Sequence, residues 1–274
     1  MRLKDFAKTG KKVSEIGMGT FYDPAWIATG FMGLRRGARA RVEAIKAGLD
    51  AGITLVDTAE IYKSEPLVAE AIEGRKRDEV FLATKISGYH LHRDSVLRSF
   101  EGSLRRLGTS YIDLYQVHFP NSRVPIQETM GAMEELVRSG KLLHVGVSNF
   151  SLKQLEEARS ALPKTELSAV QLDYSLVHRD VERDILPYCD REGIALLAYF
   201  PVGHGKLVSD ARLDQVSARH GKTRAQVALR WLAQKRNVFP IPRASKSLHV
   251  LENIGASDWD LTEQDNSELD SRFR

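Results

Sequence analysis

Eight short runs of β-branched and apolar residues alternate with longer stretches of helical spacing, and this constrains the fold of the 274-residue chain more than any other feature. The runs are 16–20, 53–56, 80–83, 112–117, 143–147, 169–172, 194–199 and 238–241. The helical stretches are 40–50, 66–73, 95–107, 126–139, 152–160, 181–192, 224–234 and 248–254. A strand that is repeatedly followed by a helix needs a parallel sheet, because parallel neighbours are joined by long crossovers rather than tight turns. Without a long linker between halves, the units favour closure into a barrel over an open doubly wound sheet. No GxGxxG follows an early strand, which removes the main sequence support for a Rossmann domain.

The expected fold is therefore α/β, a (β/α)8 TIM barrel forming one domain over residues 1–274. Gly52, Gly108, Gly140 and Gly193 each stand just past a helix end, where a left-handed residue is needed. Thr223 suits an N-cap and Pro66 a first helical turn. Thr9-Gly10-Lys11-Lys12 reads as the turn of an N-terminal β-hairpin capping the bottom of the barrel. From Thr262 one last helix forms a short C-terminal tail, and two longer loops are expected at 21–39 and 201–209.

Hydrophobic residues make up 42% of the chain and charged residues 28%, a balance that excludes disordered and collagen-like classes. The net charge of +4 is spread among interleaved acids and bases, so no nucleic-acid partner is expected. No apolar run reaches the roughly 18 residues of a membrane span, and the N-terminus has no signal-peptide pattern. The expected location is the cytoplasm, with no membrane partner. Cys189 is the single cysteine, so neither an intrachain disulfide nor a cysteine-cluster metal site can form. No unpaired apolar stripe stands out, and a monomer is the default.

In such a barrel the reactive groups gather at the C-terminal ends of the strands. There the sequence places Asp57 after 53–56, Lys85 after 80–83 and His118 after 112–117, with Tyr62 just beyond Asp57. Singly, each has an ordinary explanation as a cap, a solvated strand end, a core histidine or a packing ring. Together an acid, a base, a phenol and an imidazole can converge on one small volume. A buried Lys85 and Asp57 pair is expected, with the ammonium lowering the Tyr62 pKa toward the working pH. No metal is expected, because histidines never recur at i, i+4. With no evident nucleophile either, proton transfer coupled to a cofactor hydride fits these residue types better than hydrolysis.

The chain resembles the aldo-keto reductase family through Gly17-Met18-Gly19-Thr20, Val56-Asp57-Thr58-Ala59-Glu60-Ile61-Tyr62, Ala83-Thr84-Lys85, Ser103-Leu104-Arg105-Arg106-Leu107-Gly108, Tyr111-Ile112-Asp113-Leu114-Tyr115-Gln116-Val117-His118 and Gly146-Val147-Ser148-Asn149-Phe150. The resemblance implies NAD(P)H-dependent reduction of an aldehyde or ketone, or the reverse. Tyr62 would be the general acid, tuned by Lys85 and Asp57, with His118 orienting the carbonyl. It also assigns Ser148, Asn149 and Gln171 to the nicotinamide carboxamide and Tyr199 to its ring, with Gly19 and Thr20 beside the cofactor. Arg243, Lys246, His249, Glu252 and Asn253 fall to the adenosine phosphate and adenine, and Phe200, Val202 and Leu207 to the pyrophosphate.

NADP(H) is favoured and NAD(H) stays open, because His249 and Ala244 stand where the family often has Arg and Ser. Phe21, Tyr22, Trp26, Tyr89 and Phe119 are the candidate substrate-pocket walls, suiting a small carbonyl or alcohol substrate. Two rivals stand beside this reading. One is a Schiff-base aldolase attacking through Lys85, disfavoured because a paired Asp57 would raise the lysine pKa. The other is a cofactor-binding redox sensor or regulatory subunit with little turnover.

Overall fold

The structure, a computed structural model, describes residues 1–32 and 37–273. Strands β1 (Leu3–Asp5) and β2 (Lys12–Ser14) pair antiparallel, with Leu3 opposite Ser14, and form the expected hairpin. Phe6 follows β1 into the closed bottom of the barrel, its ring 4.6 Å from Phe81 and 5.2 Å from Phe239. Lys4 fastens the same end by donating to the carbonyls of Ala233, Lys235 and Val238.

The barrel strands are β3 (Met18–Gly19), β4 (Leu55–Asp57), β5 (Phe81–Ile86), β6 (Ile112–Val117), β7 (Leu142–Ser148), β8 (Leu167–Asp173), β9 (Ala195–Tyr199) and β10 (Val238–Pro240). Each pairs in parallel with its chain neighbour. A parallel bridge from Gly19 to Arg243 closes the ring, with Gly17 N donating to Pro240 O at 2.9 Å and Gly19 N to Pro242 O at 3.1 Å. A Cβ at Gly19 would lie 2.8 Å from Ile241 O, so the closure requires glycine there.

The helices are α1 (Pro24–Phe31), α2 (Ala38–Asp50), α3 (Glu65–Ile72), α4 (Arg93–Leu107), α5 (Ile126–Arg138), α6 (Leu152–Ser160), α7 (Ile185–Glu192), α8 (Asp214–His220), α9 (Arg224–Ala233), α10 (Ser247–Ile254) and α11 (Glu263–Arg272). Their apolar faces pack on the outside of the sheet. A separate cluster of Leu55, Phe81, Ala83, Leu114, Leu197 and Phe239, among others, fills its lower interior.

Four elements depart from expectation. Strand β5 runs on through Lys85 to Ile86, because the ion pair of Lys85 lets a charged residue stay inside the barrel where the apolar run alone had suggested an end. The expected loop at 21–39 contains α1, started by Pro24 and by Asp23, whose carboxylate accepts from Trp26 N at 2.7 Å; its stretch 33–36 lies outside the described residues. Helix α8 was not anticipated, although Gly221 at φ 60° caps it. Helix α7 starts at Ile185 rather than Val181, capped by Asp184, after a single 3-10 turn.

Candidate active site

Strand pleating decides what meets at the upper end of the barrel. Strands β4, β5, β6 and β8 carry Asp57, Lys85, Gln116 and Gln171; Lys85 and Gln116 are partners in register, and all four side chains meet in one layer at the Asp57 carboxylate. Lys85 Nζ donates to Asp57 Oδ2 at 2.6 Å and to the Thr58 carbonyl at 2.9 Å. Asp57 Oδ1 accepts from Gln171 Nε2 at 2.8 Å and from Gln116 Nε2 at 3.4 Å. The pair is almost wholly out of water, at 0% and 3% side-chain exposure, so these extra donors are what make the buried carboxylate tenable. Gln116 was missed by sequence reasoning because it sits inside a strand rather than past its end; its place two residues before His118 was the available signal.

Tyr62 lies in the turn after β4, directly over this layer. Its hydroxyl is 3.2 Å from His118 Nε2, and Lys85 Nζ stands 4.8 Å from the centroid of its ring. The expected lowering of the phenol is not what the surroundings produce. Burial pushes Tyr62 well above its ordinary value, and the negative charge of Asp57 pushes the same way. Burial also draws the Lys85 ammonium below its usual value, against the opposing pull of Asp57, which corrects the expectation that the carboxylate would dominate. Burial, aided by the charge of Lys85, takes His118 down to about 3, so its imidazole is neutral. The aldolase rival fails on access rather than on charge, since Lys85 has no exposed surface and its ammonium is already bonded twice.

A cleft of about 710 Å³ opens beside Tyr62 and His118, within the range of small-molecule sites. Of the residues singled out in the sequence, Gly19, Phe21, Asp57, Phe119, Ser148, Asn149, Gln171, Tyr199, Phe200, Val202, Arg243, His249, Glu252 and Asn253 line it. Asn149 is held in left-handed backbone at φ 62° and knits the wall together. Its Nδ2 donates to His118 O and Ser148 Oγ, its Oδ1 accepts from the Tyr199 hydroxyl at 2.7 Å, and Ser148 Oγ donates to Gln171 O.

Other candidates stand elsewhere. Tyr22 and Trp26 are buried behind the cleft, edge to face at 5.8 Å, and Trp26 Nε1 donates to the Tyr62 carbonyl, so they support the catalytic turn instead of lining the pocket. Tyr89 is 91% exposed, Thr20 is buried against Asp57 O and Ser64, and Leu207 belongs to the core. Lys246 is exposed at the start of α10, outside the lining.

A nicotinamide dinucleotide fits these residues. The cleft joins an amide-recognising wall at Ser148 and Asn149 and a half-buried aromatic ring at Tyr199 to the start of α10, where Arg243 and a first turn with no side-chain cap suit a phosphate. The arrangement is equipment for delivering one proton beside a bound ring system at the mouth of an α/β barrel.

Comparison with known proteins agrees. A model of the aldo/keto reductase family matches residues 27–272. Aldo-keto reductase YhdN of Bacillus subtilis is 41% identical over 219 residues, 76% of this chain and 64% of that protein. Methylglyoxal reductase YeaE of Escherichia coli is 32% identical over 267 residues, 94% of this chain and 90% of that protein. An aldo/keto reductase from Klebsiella pneumoniae, solved with NADP and acetate, superposes with a TM-score of 0.88 at 32% identity, covering 100% of this chain and 96% of that one. The chain belongs to the aldo/keto reductase family. Its activity is NAD(P)H-dependent carbonyl chemistry, and the sensor reading is not favoured.

Proposed function

We propose that this chain is a single-domain, NADPH-preferring reductase of small uncharged aldehydes and ketones, with α-oxoaldehydes such as methylglyoxal as the leading substrate class. The observation that carries this is the 3.2 Å contact of the Tyr62 hydroxyl with a neutral His118, framed by apolar walls. Phe21 meets the Tyr62 ring edge to face at 5.2 Å, and Phe119 stacks on His118 at 4.7 Å. Among the described residues lining the cleft the one Lys or Arg is Arg243, which this reading gives to the cofactor phosphate, so a substrate carboxylate would find no cation left to pair with there.

Bound NADPH supplies the hydride. Tyr62, kept protonated by its burial, hands its hydroxyl proton to the carbonyl oxygen as negative charge develops there. His118 Nδ1 has no partner among the described residues, which favours the tautomer with its proton on Nε2, facing Tyr62 and the carbonyl. Lys85 and Asp57 hold a fixed dipole under the phenol. Ser148, Asn149 and Gln171 would hold the carboxamide, Tyr199 the ring, and Glu252 and Asn253 the adenine. Phe200 and Val202 flank the pyrophosphate in this reading. Arg243, Lys246 and His249, with the first turn of α10, would take the 2′-phosphate, and the NADP complex of the Klebsiella neighbour supports that preference.

With one cysteine and no helix among the described residues long and apolar enough to cross a membrane, a cytoplasmic monomer is the reading we adopt. The test compares NADPH with NADH on methylglyoxal and on pyruvate. The reading expects kcat/KM for methylglyoxal to exceed that for pyruvate by more than about tenfold, equivalent to about 1.4 kcal/mol. Equal rates on both, or turnover with NADH alone, would overturn the respective half of the assignment.

A further inference from the structure

We propose that Asp173, His178 and His204 form a binding site for a divalent transition ion of the Zn2+ class, joining the loops after β8 and β9 at the rim of the cleft. Asp173 ends β8, paired in register with Tyr199 of β9. Its Oδ1 lies 3.1 Å from His178 Nδ1 and its Oδ2 lies 3.1 Å from His204 Nε2. The three ligand atoms are within 4.8 Å of one another, and among the described residues no other three His, Cys, Asp or Glu side chains converge in this way. Ligands about 2.0 to 2.2 Å from a tetrahedral Zn2+ stand about 3 to 4 Å apart, so an ion needs only a small inward closure.

Each ligand is already aimed. His178 exchanges backbone hydrogen bonds with Ser175, Ser175 N to His178 O at 3.0 Å and His178 N to Ser175 O at 3.1 Å. His204 sits at φ 55° between Gly203 and Gly205, a left-handed conformation that a histidine adopts uncommonly, and its ring lies 3.8 Å from that of Phe200. Val177 closes on Gly203 so tightly that a Cβ there would come within 2.5 Å, which ties the two loops together.

Without an ion, each neutral imidazole can donate one N–H to the carboxylate. With an ion, each moves that proton to its other ring nitrogen and presents a lone pair in its place, and a modest turn of the side chains brings the lone pairs from the carboxylate oxygens onto one point. Two imidazoles and one carboxylate suit Zn2+, Co2+ or Ni2+ rather than Mg2+ or Ca2+, which prefer oxygen ligands. Side-chain exposures of 29%, 39% and 44% for Asp173, His178 and His204 leave a path from water. His204 also lines the cleft, and the same loop carries Phe200 and Val202, so a bound ion would fasten one wall of it. Its effect on cofactor exchange rests on the proposed NADPH site.

The experiment titrates the full chain with Co2+, following its visible absorption, and then displaces it with Zn2+ and with Mg2+. The expected result is one Co2+ per chain, displaced by Zn2+ but not by Mg2+, with His178→Asn and His204→Asn each weakening affinity by at least about tenfold. His90→Asn, at an exposed histidine bonded to Glu60, leaves it unchanged. Circular dichroism checks that each variant folds. No Co2+ spectrum up to about millimolar concentration, or affinity indifferent to both substitutions, overturns the site and leaves a hydrogen-bonded clamp. NADPH release is timed with and without Zn2+: slower release supports the fastening role, and unchanged release overturns it. Failure to bind NADPH at all would sink the cofactor reading while leaving the Co2+ result to stand or fall alone.

Discussion

Tyr62 and Lys85 stand against one another without a hydrogen bond: the Lys85 ammonium is 4.8 Å from the centroid of the Tyr62 ring, while its bonds go to Asp57 and the Thr58 carbonyl. Lys85 therefore acts on the phenol through its charge and by holding the layer beneath. The hydroxyl's own partner is His118.

Removing the ammonium should accordingly damage the fold as well as the chemistry. Lys85→Met leaves Asp57 buried without its cation and is expected to lower unfolding free energy by about 3 to 5 kcal/mol. Tyr62→Phe removes one hydroxyl contact and is expected to change it by about 1 kcal/mol or less. Urea titrations of both variants check this, and equal stabilities would show that the pair is not a structural requirement.

The site should be insensitive to pH over a broad range. His118, held down to about 3, is neutral above that value, and Tyr62, pushed well above 10, stays protonated below it. Neither group then changes charge between about pH 5 and pH 9, and kcat for reduction should be flat there. A pH profile at saturating cofactor and substrate reads this directly, and an inflection near neutrality would contradict it.

Tyr199→Phe keeps the ring but deletes the 2.7 Å bond to Asn149 Oδ1. The loss of about 0.5 to 1.5 kcal/mol should appear as a rise of roughly two- to twelvefold in the cofactor Kd, with kcat changed less. Fluorescence titration with NADPH measures it.

At the other end of the barrel, Arg230 donates to both oxygens of Glu15, at 2.8 and 3.1 Å, and Ser257 adds a third bond at 2.7 Å. Glu15→Gln strands a buried guanidinium and should lower stability by about 3 to 5 kcal/mol. Turnover per folded molecule should be retained, which a thermal melt beside an activity assay would establish.

The strand at 112–117 was legible to the residue because its apolar and aromatic residues Ile112, Leu114, Tyr115 and Val117 cluster between a glycine-ended helix and a proline, and Asp57, Tyr62 and His118 followed from lying just past such clusters. Lys85 showed where that logic ends, since a charge neutralised inside the barrel does not stop a strand. Helix α1 escaped because its signals, Asp23 and Pro24, sit in a stretch whose glycines and arginines read as loop. The burial of Tyr22 and Trp26 depends on how α1 folds back behind Tyr62, and no local pattern encodes that. The direction of the Tyr62 shift was equally hidden, because it turns on burial outweighing the charge of a neighbour, a balance fixed by the assembled packing.

The most direct test is a single-turnover measurement of methylglyoxal reduction by NADPH, wild type against Tyr62→Phe, with NADPH affinity measured on both. The account predicts a hydride-transfer rate about 10² to 10⁴ lower in Tyr62→Phe, with affinity for NADPH within about threefold of wild type. A variant that transfers hydride at an unchanged rate would contradict the assignment of Tyr62 as the proton donor.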